Sequence, residues 1–326
     1  MRIARFVGPG GEPALGLVRD QEVVNLTRAL LLYETARRGE AHPPATDPTQ
    51  LMARGLFSCR ALEPVVRFLE RHGLEKRLGR PLEAARLLPP IARPPKIFAM
   101  GLNYRSHALE HAGQVPEEPI FFRKESTAVI GPEEAVVIKP GIGRVDPEVE
   151  LAVVIGQAGA DIPIEQAGDF VAGYTILNDV TARAIQQRDI AASRPWYRSK
   201  SLDTFSPLGP WIVLPDEILP PVELDLEMRV NGEVRQRDNT RSLLWKVPEL
   251  ISFISSFVRL EPGDILSTGT PEGMKEVKPG DVMEACVEKI GVLRNPVVAA
   301  PVGRPSAGLR GGLNLPKPAE EYPCAP

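Results

Sequence analysis

The chain has 326 residues, 43% of them hydrophobic and 25% charged, with 39 Lys and Arg against 42 Asp and Glu. That length can bury one large core plus a smaller one. A formal charge of −3 leaves no basic excess for nucleic acid or an anionic membrane. The 34 Pro and 28 Gly point to many tight turns, and hence many strands, in an ordered chain. No apolar run approaches the roughly 18 residues needed to cross a bilayer. The start, Met1-Arg2-Ile3-Ala4-Arg5, lacks the apolar stretch and cleavage site of an export signal. Cys59, Cys286 and Cys324 are odd in number and far apart, which fits a reducing compartment and excludes a Cys-based zinc site. The expectation is a cytoplasmic protein.

In chain order, residues 1–94 read as a small α+β module ending in a proline linker. Residues 1–7 and 14–26 are expected as strands around a Gly/Pro turn. Asp47-Pro48 offers a helix start, with Pro tolerated at the first helical position. Leu62, Val65, Val66 and Leu69 recur at helical spacing before a stop at Gly73. The prolines of residues 88–95 predict a stiff extended connection. Residues 95–300 read mostly as strands. In 224–230 apolar and charged residues alternate up to Asn231-Gly232, a strong hairpin signal. Two Pro-Gly-Asp turns, at 262–264 and 279–281, each lead into a further strand. Helices are expected around 164–170 and over 247–258, the latter with Leu250, Ile251, Ile254 and Phe257 on one stripe. Residues 301–326 form a proline-rich tail without periodicity. The fold class is α+β with a mixed or antiparallel sheet. No Gly-x-Gly-x-x-Gly follows a strand and no Gly-x-Ser-x-Gly is present, which removes nicotinamide and serine-hydrolase readings.

Three carboxylates carry the first chemical signal. In Asp146-Pro147-Glu148-Val149-Glu150-Leu151, extended backbone puts Glu148 and Glu150 on one side. Spacing alone fits an edge strand with a solvated acidic face. The following Ala152–Ile155 is apolar on both faces and argues for a core strand, in which the two charges need a proton, a basic group or a cation. Asp179 ends the apolar run 173–178; it reads as a helix N-cap or as a ligand at a strand end. With no Cys or His beside them, an ion held by these oxygens would be hard: Mg²⁺ or Mn²⁺, with Ca²⁺ conceivable. In a helix from about Tyr104, His107 and Glu110 share a face at i, i+3. That suits a general base on a mobile lid as well as an ordinary surface helix.

Further motifs run along the chain: Gly-Leu-Asn-Tyr at 101–104 with His107 and Glu110, Phe122-Arg123-Lys124, and Asp146 to Ile155. They continue with Asn178-Asp179-Val180-Thr181-Ala182-Arg183, Lys200 to Phe205, Pro207 to Trp211, and Thr268-Gly269-Thr270-Pro271-Glu272-Gly273. With these, the chain resembles the fumarylacetoacetate hydrolase superfamily over about residues 95–298. The resemblance implies a mixed β-roll or β-sandwich catalytic core, a divalent-metal enzyme and, as is usual there, a homodimer. It implies Glu148, Glu150 and Asp179 as metal ligands and His107 with Glu110 as a lid dyad that activates water. Gln186 and Lys200 would line the pocket, and Lys124 and Thr270 would approach the substrate carboxylate, with Tyr104 and Arg183 also at the substrate.

The chemistry so implied is stabilisation of an enolate of a 2-oxo acid. The first expectation is C–C hydrolysis of an acylpyruvate- or fumarylacetoacetate-like diketo acid. The alternatives are decarboxylation or isomerisation (tautomerisation) of a 2-oxo or 2-hydroxymuconate-type diacid and, in a different class, a non-catalytic metal-binding dimeric scaffold.

Overall fold

The computed structural model describes residues 1–112 and 114–301, so the proline-rich tail expected at 301–326 lies, beyond its first residue, outside the described residues. Among the described residues the backbone forms a twelve-stranded mixed sheet, a five-stranded sheet and a short two-stranded ladder. The large sheet runs from Gly79–Pro81 through Glu22–Asn25, Pro13–Arg19 and Arg2–Val7 to Ser206–Val213. It continues through Val171–Asn178, Val149–Ile155, Ile265–Ser267 and Ile97–Gly101 to Ile120–Lys124. The smaller sheet orders Glu233–Asn239, Asp225–Val230, Val282–Val287, Gly291–Ala299 and Val136–Ile138. Most pairs are antiparallel, but Ile265–Ser267 runs parallel to Ile97–Gly101. No helix among the described residues is long and apolar enough to cross a membrane.

Strand Val149–Ile155 is buried along its whole length because both of its faces are covered. Leu151, Val153 and Ile155 pack with Leu226, Met228, Met283 and Ala285 of the smaller sheet. Ala152 and Val154, on the other face, share a core with Leu62, Val65, Val66 and Leu69 of helix Cys59–Arg71. Helices and a second sheet thus sandwich the central strands. The carboxylates at 148 and 150 extend the 152/154 file beyond the apolar core.

The N-terminal residues join the large sheet directly, Arg2 pairing with Val213 and Ile3 with Ile212. The expected strand at 14–26 divides in two, since Asp20 turns the chain with φ 49°. A helix, Leu26–Arg38, follows that the periodicity reading passed over; Asn25 caps its start, and Gly39 at φ 79° donates its N–H to Thr35 at its end. Asp47 begins only the short helix Pro48–Met52, with Gln50 completing a capping box. The other Asp47 oxygen accepts from Ala92 N at 2.9 Å and ties down the proline-rich stretch, of which Leu87–Leu88 pairs with Arg5 and Phe6.

The Asn231-Gly232 hairpin forms with both residues at positive φ, joining Asp225–Val230 to Glu233–Asn239. Both Pro-Gly-Asp turns lead into strands, Ile265–Ser267 and Val282–Val287. Residues 164–170 are 3₁₀ rather than α-helical, and helix Val247–Ser255 stops early, so Phe257 lies 66% exposed off the buried stripe.

Ile3 is fully buried between the N-terminal strands and Ile212. Ile3→Ala is therefore expected to cost about 2–5 kcal/mol of stability, read by urea denaturation. A loss near zero would mean that the first strand is not part of the cooperative sheet.

Candidate metal centre and substrate cavity

Strand register assembles the acidic cluster. Val149 pairs with Asn178 and Glu150 with Leu177, so Glu148 and Asp179 sit side by side just past the paired ends. Asp179 N–H donates to the Glu148 carbonyl at 2.9 Å, and Glu148 N–H to Asn178 Oδ1 at 2.9 Å. All three carboxylates are buried, and one oxygen from each lies within 4.8 Å of the others. Asp179 is not a helix cap; the next helix, Arg183–Ala191, starts after Ala182.

Buried cations hold the cluster together. Lys200 Nζ bridges Glu148 Oε2 at 2.7 Å and Asp179 Oδ2 at 2.5 Å. Lys124 Nζ donates to Asp179 Oδ1 at 2.6 Å and to the carbonyls of Lys200 and Val180 at 2.5 and 3.4 Å. Arg183 binds Glu148 Oε1 through Nη2, and its Nε donates to Asp146 Oδ2 at 2.8 Å. Thr181 Oγ1 donates to the same Glu148 oxygen at 3.0 Å. Burial opposes charge on Glu148, yet Lys200 and Arg183 overcome it and hold the carboxyl well below the usual range. Burial likewise disfavours the Lys200 ammonium, but Asp179 and Glu148 raise it. Burial pulls Lys124 down despite Asp179.

Glu150 differs. Its Oε2 accepts from Ser267 Oγ at 2.5 Å and from Gly269 N–H at 2.9 Å, while its buried Oε1 has no hydrogen-bond partner. Burial, then Asp179 and Glu148, push this carboxyl well above its usual range. Gly269 allows the contact: at φ +93° its backbone is left-handed, and a Cβ there would lie 3.1 Å from Asn103 Cβ. An all-carboxylate donor set with an orphaned, buried oxygen aimed among like charges fits a hard dication, for which carboxylate distances are about 2.0–2.6 Å.

Glu148, Arg183 and Lys200 open onto a cavity of about 370 Å³, also lined by His107, Gln186 and Thr270. His107 is nine-tenths buried on helix Arg105–Ala112; the side chain of Glu110, its expected partner, lies outside those described. Arg183 Nη1 donates to Gln186 Oε1 at 2.5 Å, one helical turn on. Thr270 Oγ1 donates to Val149 O at 3.0 Å and accepts from Gln236 Nε2 at 2.9 Å. Two residues expected at the substrate sit behind the wall instead. Lys124 is fully buried against Asp179, and Tyr104 is fully buried at a bridge to Leu243; neither lines the cavity. Asp146, Ser267 and Gly269 support the carboxylates without having been singled out for it, although all three lie in or beside the quoted motifs. Trp196 and Ile190, which line the cavity, carried no motif signal at all.

The family model for the fumarylacetoacetate (FAA) hydrolase C-terminal region matches residues 96–298. The chain belongs to the fumarylacetoacetate hydrolase family. Its relatives include the mitochondrial oxaloacetate tautomerase Fahd2a of Rattus norvegicus, 40% identical over 251 residues, which covers 72% of this chain and 79% of that protein. Among solved structures, maleylpyruvate hydrolase from Sphingobium sp. SYK-6, in complex with manganese(II) ion and pyruvate, is 33% identical with a TM-score of 0.70 over 92% of this chain and all of that one. The 5-carboxymethyl-2-hydroxymuconate delta-isomerase of Mycobacterium smegmatis matches at 34% identity, with a TM-score of 0.69 and the same coverage. The mixed α+β fold with its N-terminal module and large mixed sheets is thus a family property, and the buried acidic cluster is consistent with a divalent-metal site.

A raised carboxyl in the folded state favours folding at low pH, and that advantage fades as pH climbs through the folded value. With chelator present, Glu150→Gln should therefore melt at or above the wild-type temperature at pH 8, the gap closing towards pH 4. A variant melting several degrees lower at pH 8 in calorimetry would contradict the assignment.

Proposed function

We propose that this protein is a divalent-metal-dependent tautomerase of short 2-oxo acids of the oxaloacetate kind, with Mg²⁺ or Mn²⁺ held by Glu148, Glu150 and Asp179. The observation that carries the reading is the convergence of those three buried carboxylates beside a small cavity that His107 and Lys200 also line. The 40% identity to a named oxaloacetate tautomerase supports the choice of reaction.

A bound dication would polarise the carbonyl of a 2-oxo acid and lower the cost of negative charge on its oxygen. Lys200, kept charged by Asp179 and Glu148, would supply a fixed positive group at the cavity wall. Gln186, oriented by Arg183, adds a polar side chain at the cavity wall. Conversion of enol to ketone removes the hydroxyl proton and delivers one to C3. His107, at the cavity wall, would accept the hydroxyl proton and hand one to C3, so that the imidazole ends in the state in which it began.

C–C hydrolysis of an acylpyruvate- or fumarylacetoacetate-like acid is the second reading, favoured by the likeness to maleylpyruvate hydrolase. It requires His107, with Glu110, to activate water. The two separate on products. The protein with Mg²⁺ should speed loss of the oxaloacetate enol absorbance, with acetylpyruvate left intact. Release of acetate and pyruvate from acetylpyruvate would favour hydrolysis, and turnover of neither would leave a metal-binding scaffold.

His107→Ala should lower the rate by about 10²–10⁴, with Mg²⁺ affinity by calorimetry little changed. Asp179→Asn should weaken Mg²⁺ binding itself. Loss of activity in His107→Ala together with loss of metal would reassign His107 to a structural part.

A further inference from the structure

A second cavity, of about 240 Å³, shares no lining residue with the one beside the acidic cluster. Its wall is apolar, with Val171, Pro220, Pro221, Val222, Val247 and Pro248 among its members. These come from the start of strand Val171–Asn178, the loop 220–223 and the first turn of helix Val247–Ser255. An apolar cavity of about 150 Å³ takes up benzene. This one therefore has room for a ring with a short side chain.

The wall is tied by its own hydrogen bonds. Thr240 Oγ1 donates to the Val222 carbonyl at 2.8 Å and accepts from Leu224 N–H at 2.8 Å. Lys246 Nζ, at the rim, donates to the carbonyls of Arg241 and Leu243 at 2.6 and 2.9 Å. Trp245 N–H donates to Asn103 Oδ1 at 3.0 Å. A ligand that enters need not order the chain around it, which spares binding that cost.

Two polar groups of the lining are left over. Tyr174 is only 5% exposed, and its hydroxyl has no hydrogen-bond partner among the described residues. Burial pushes it up to about 12, so at neutral pH it remains a donor. A donor so buried calls for an acceptor. Arg241 lines the same cavity from its exposed rim, and its guanidinium makes no ion pair among the described residues. Glu223, the acid of the lining, acts on Lys246.

We propose that this cavity is a second ligand site, which takes a small aromatic monocarboxylate with its ring among the prolines and its carboxylate at Tyr174 and Arg241. Proline and valine side chains offer the flat hydrocarbon surface that a ring buries well. One unpartnered hydroxyl and one free guanidinium match one carboxylate. The site depends neither on the metal nor on the tautomerase reading.

The test titrates the full chain with phenylacetate and its uncharged counterpart phenylacetamide, by calorimetry, with and without Mg²⁺ and excess oxalate. Phenylacetate should bind more tightly than the amide, with the same affinity whether oxalate is present or not. Tyr174→Phe keeps the ring and removes a hydroxyl that no protein group uses, so the fold should stand while phenylacetate binding weakens about fivefold. Arg241→Gln should weaken phenylacetate by a similar factor and leave the amide unchanged. An unchanged phenylacetate affinity in either variant, or displacement by oxalate, would overturn the assignment. Absence of binding to the wild type, whether or not a second copy of the chain covers the cavity, would do the same.

Discussion

The structure turns on the repulsion among three carboxylates that the fold draws out of water. Two such charges 4 Å apart at an effective dielectric near 20 oppose each other by about 4 kcal/mol. Here three lie within 4.8 Å of one another in buried positions. The protein answers with Lys200 between Glu148 and Asp179, Lys124 behind Asp179 and Arg183 across Glu148. Glu150 receives only a hydroxyl and a backbone N–H, and it is the member whose charge is least tolerated. Lys124, Lys200 and Arg183 pair with Asp179 and Glu148 rather than with Glu150, whose unpartnered Oε1 is the oxygen a hard dication could take up.

The scaffold separates stiffness from access. The carboxylates stand on the most deeply buried strands, with apolar neighbours on both faces, so their geometry is set by core packing. Beside the strand residues Met100, Gly101 and Phe122, the cavity wall draws on shorter pieces: helix Arg105–Ala112, helix Arg183–Ala191 and the stretch before Lys200. Chemistry common to the family can therefore stay fixed while the wall decides which acids enter. Relatives that bear the names of a tautomerase, a hydrolase and an isomerase fit that division.

Much of this was legible in the residues. The i, i+2 spacing of Glu148 and Glu150 places them on one side, and the apolar continuation through Ile155 marks a core strand; both hold in the structure. The helical stripe Leu62–Leu69 and the Asn231-Gly232 hairpin are equally plain, because local periodicity and turn chemistry determine them. Other features depend on distant partners. Lys124 looks like a free basic group in sequence, and only pairing of Ile97 with Lys124 in the sheet carries it in behind Asp179. Tyr104 falls within a motif yet is fully buried, its backbone bridged to Leu243. Trp196 follows Arg-Pro in an unremarkable stretch, and its place in the cavity comes from the hold of Asp189 on Arg198, a contact no spacing rule reveals. Helix Leu26–Arg38 is hidden in the sequence because the run 14–26 looks like one strand across the turn at Asp20.

The alignment of Val149–Ile155 with Val171–Asn178 has a consequence for folding fidelity. Side chains alternate across a strand, so a slip of one position would carry Asp179 roughly 3.3 Å along and reverse the sidedness of its neighbours. Glu148 and Asp179 would part, and Lys200 would lose one of its two anchors. A cation captured by all three oxygens rewards only the correct alignment, since ligands stabilise the state that binds them. The same ion that equips the site for chemistry would thereby proofread the pairing that built it.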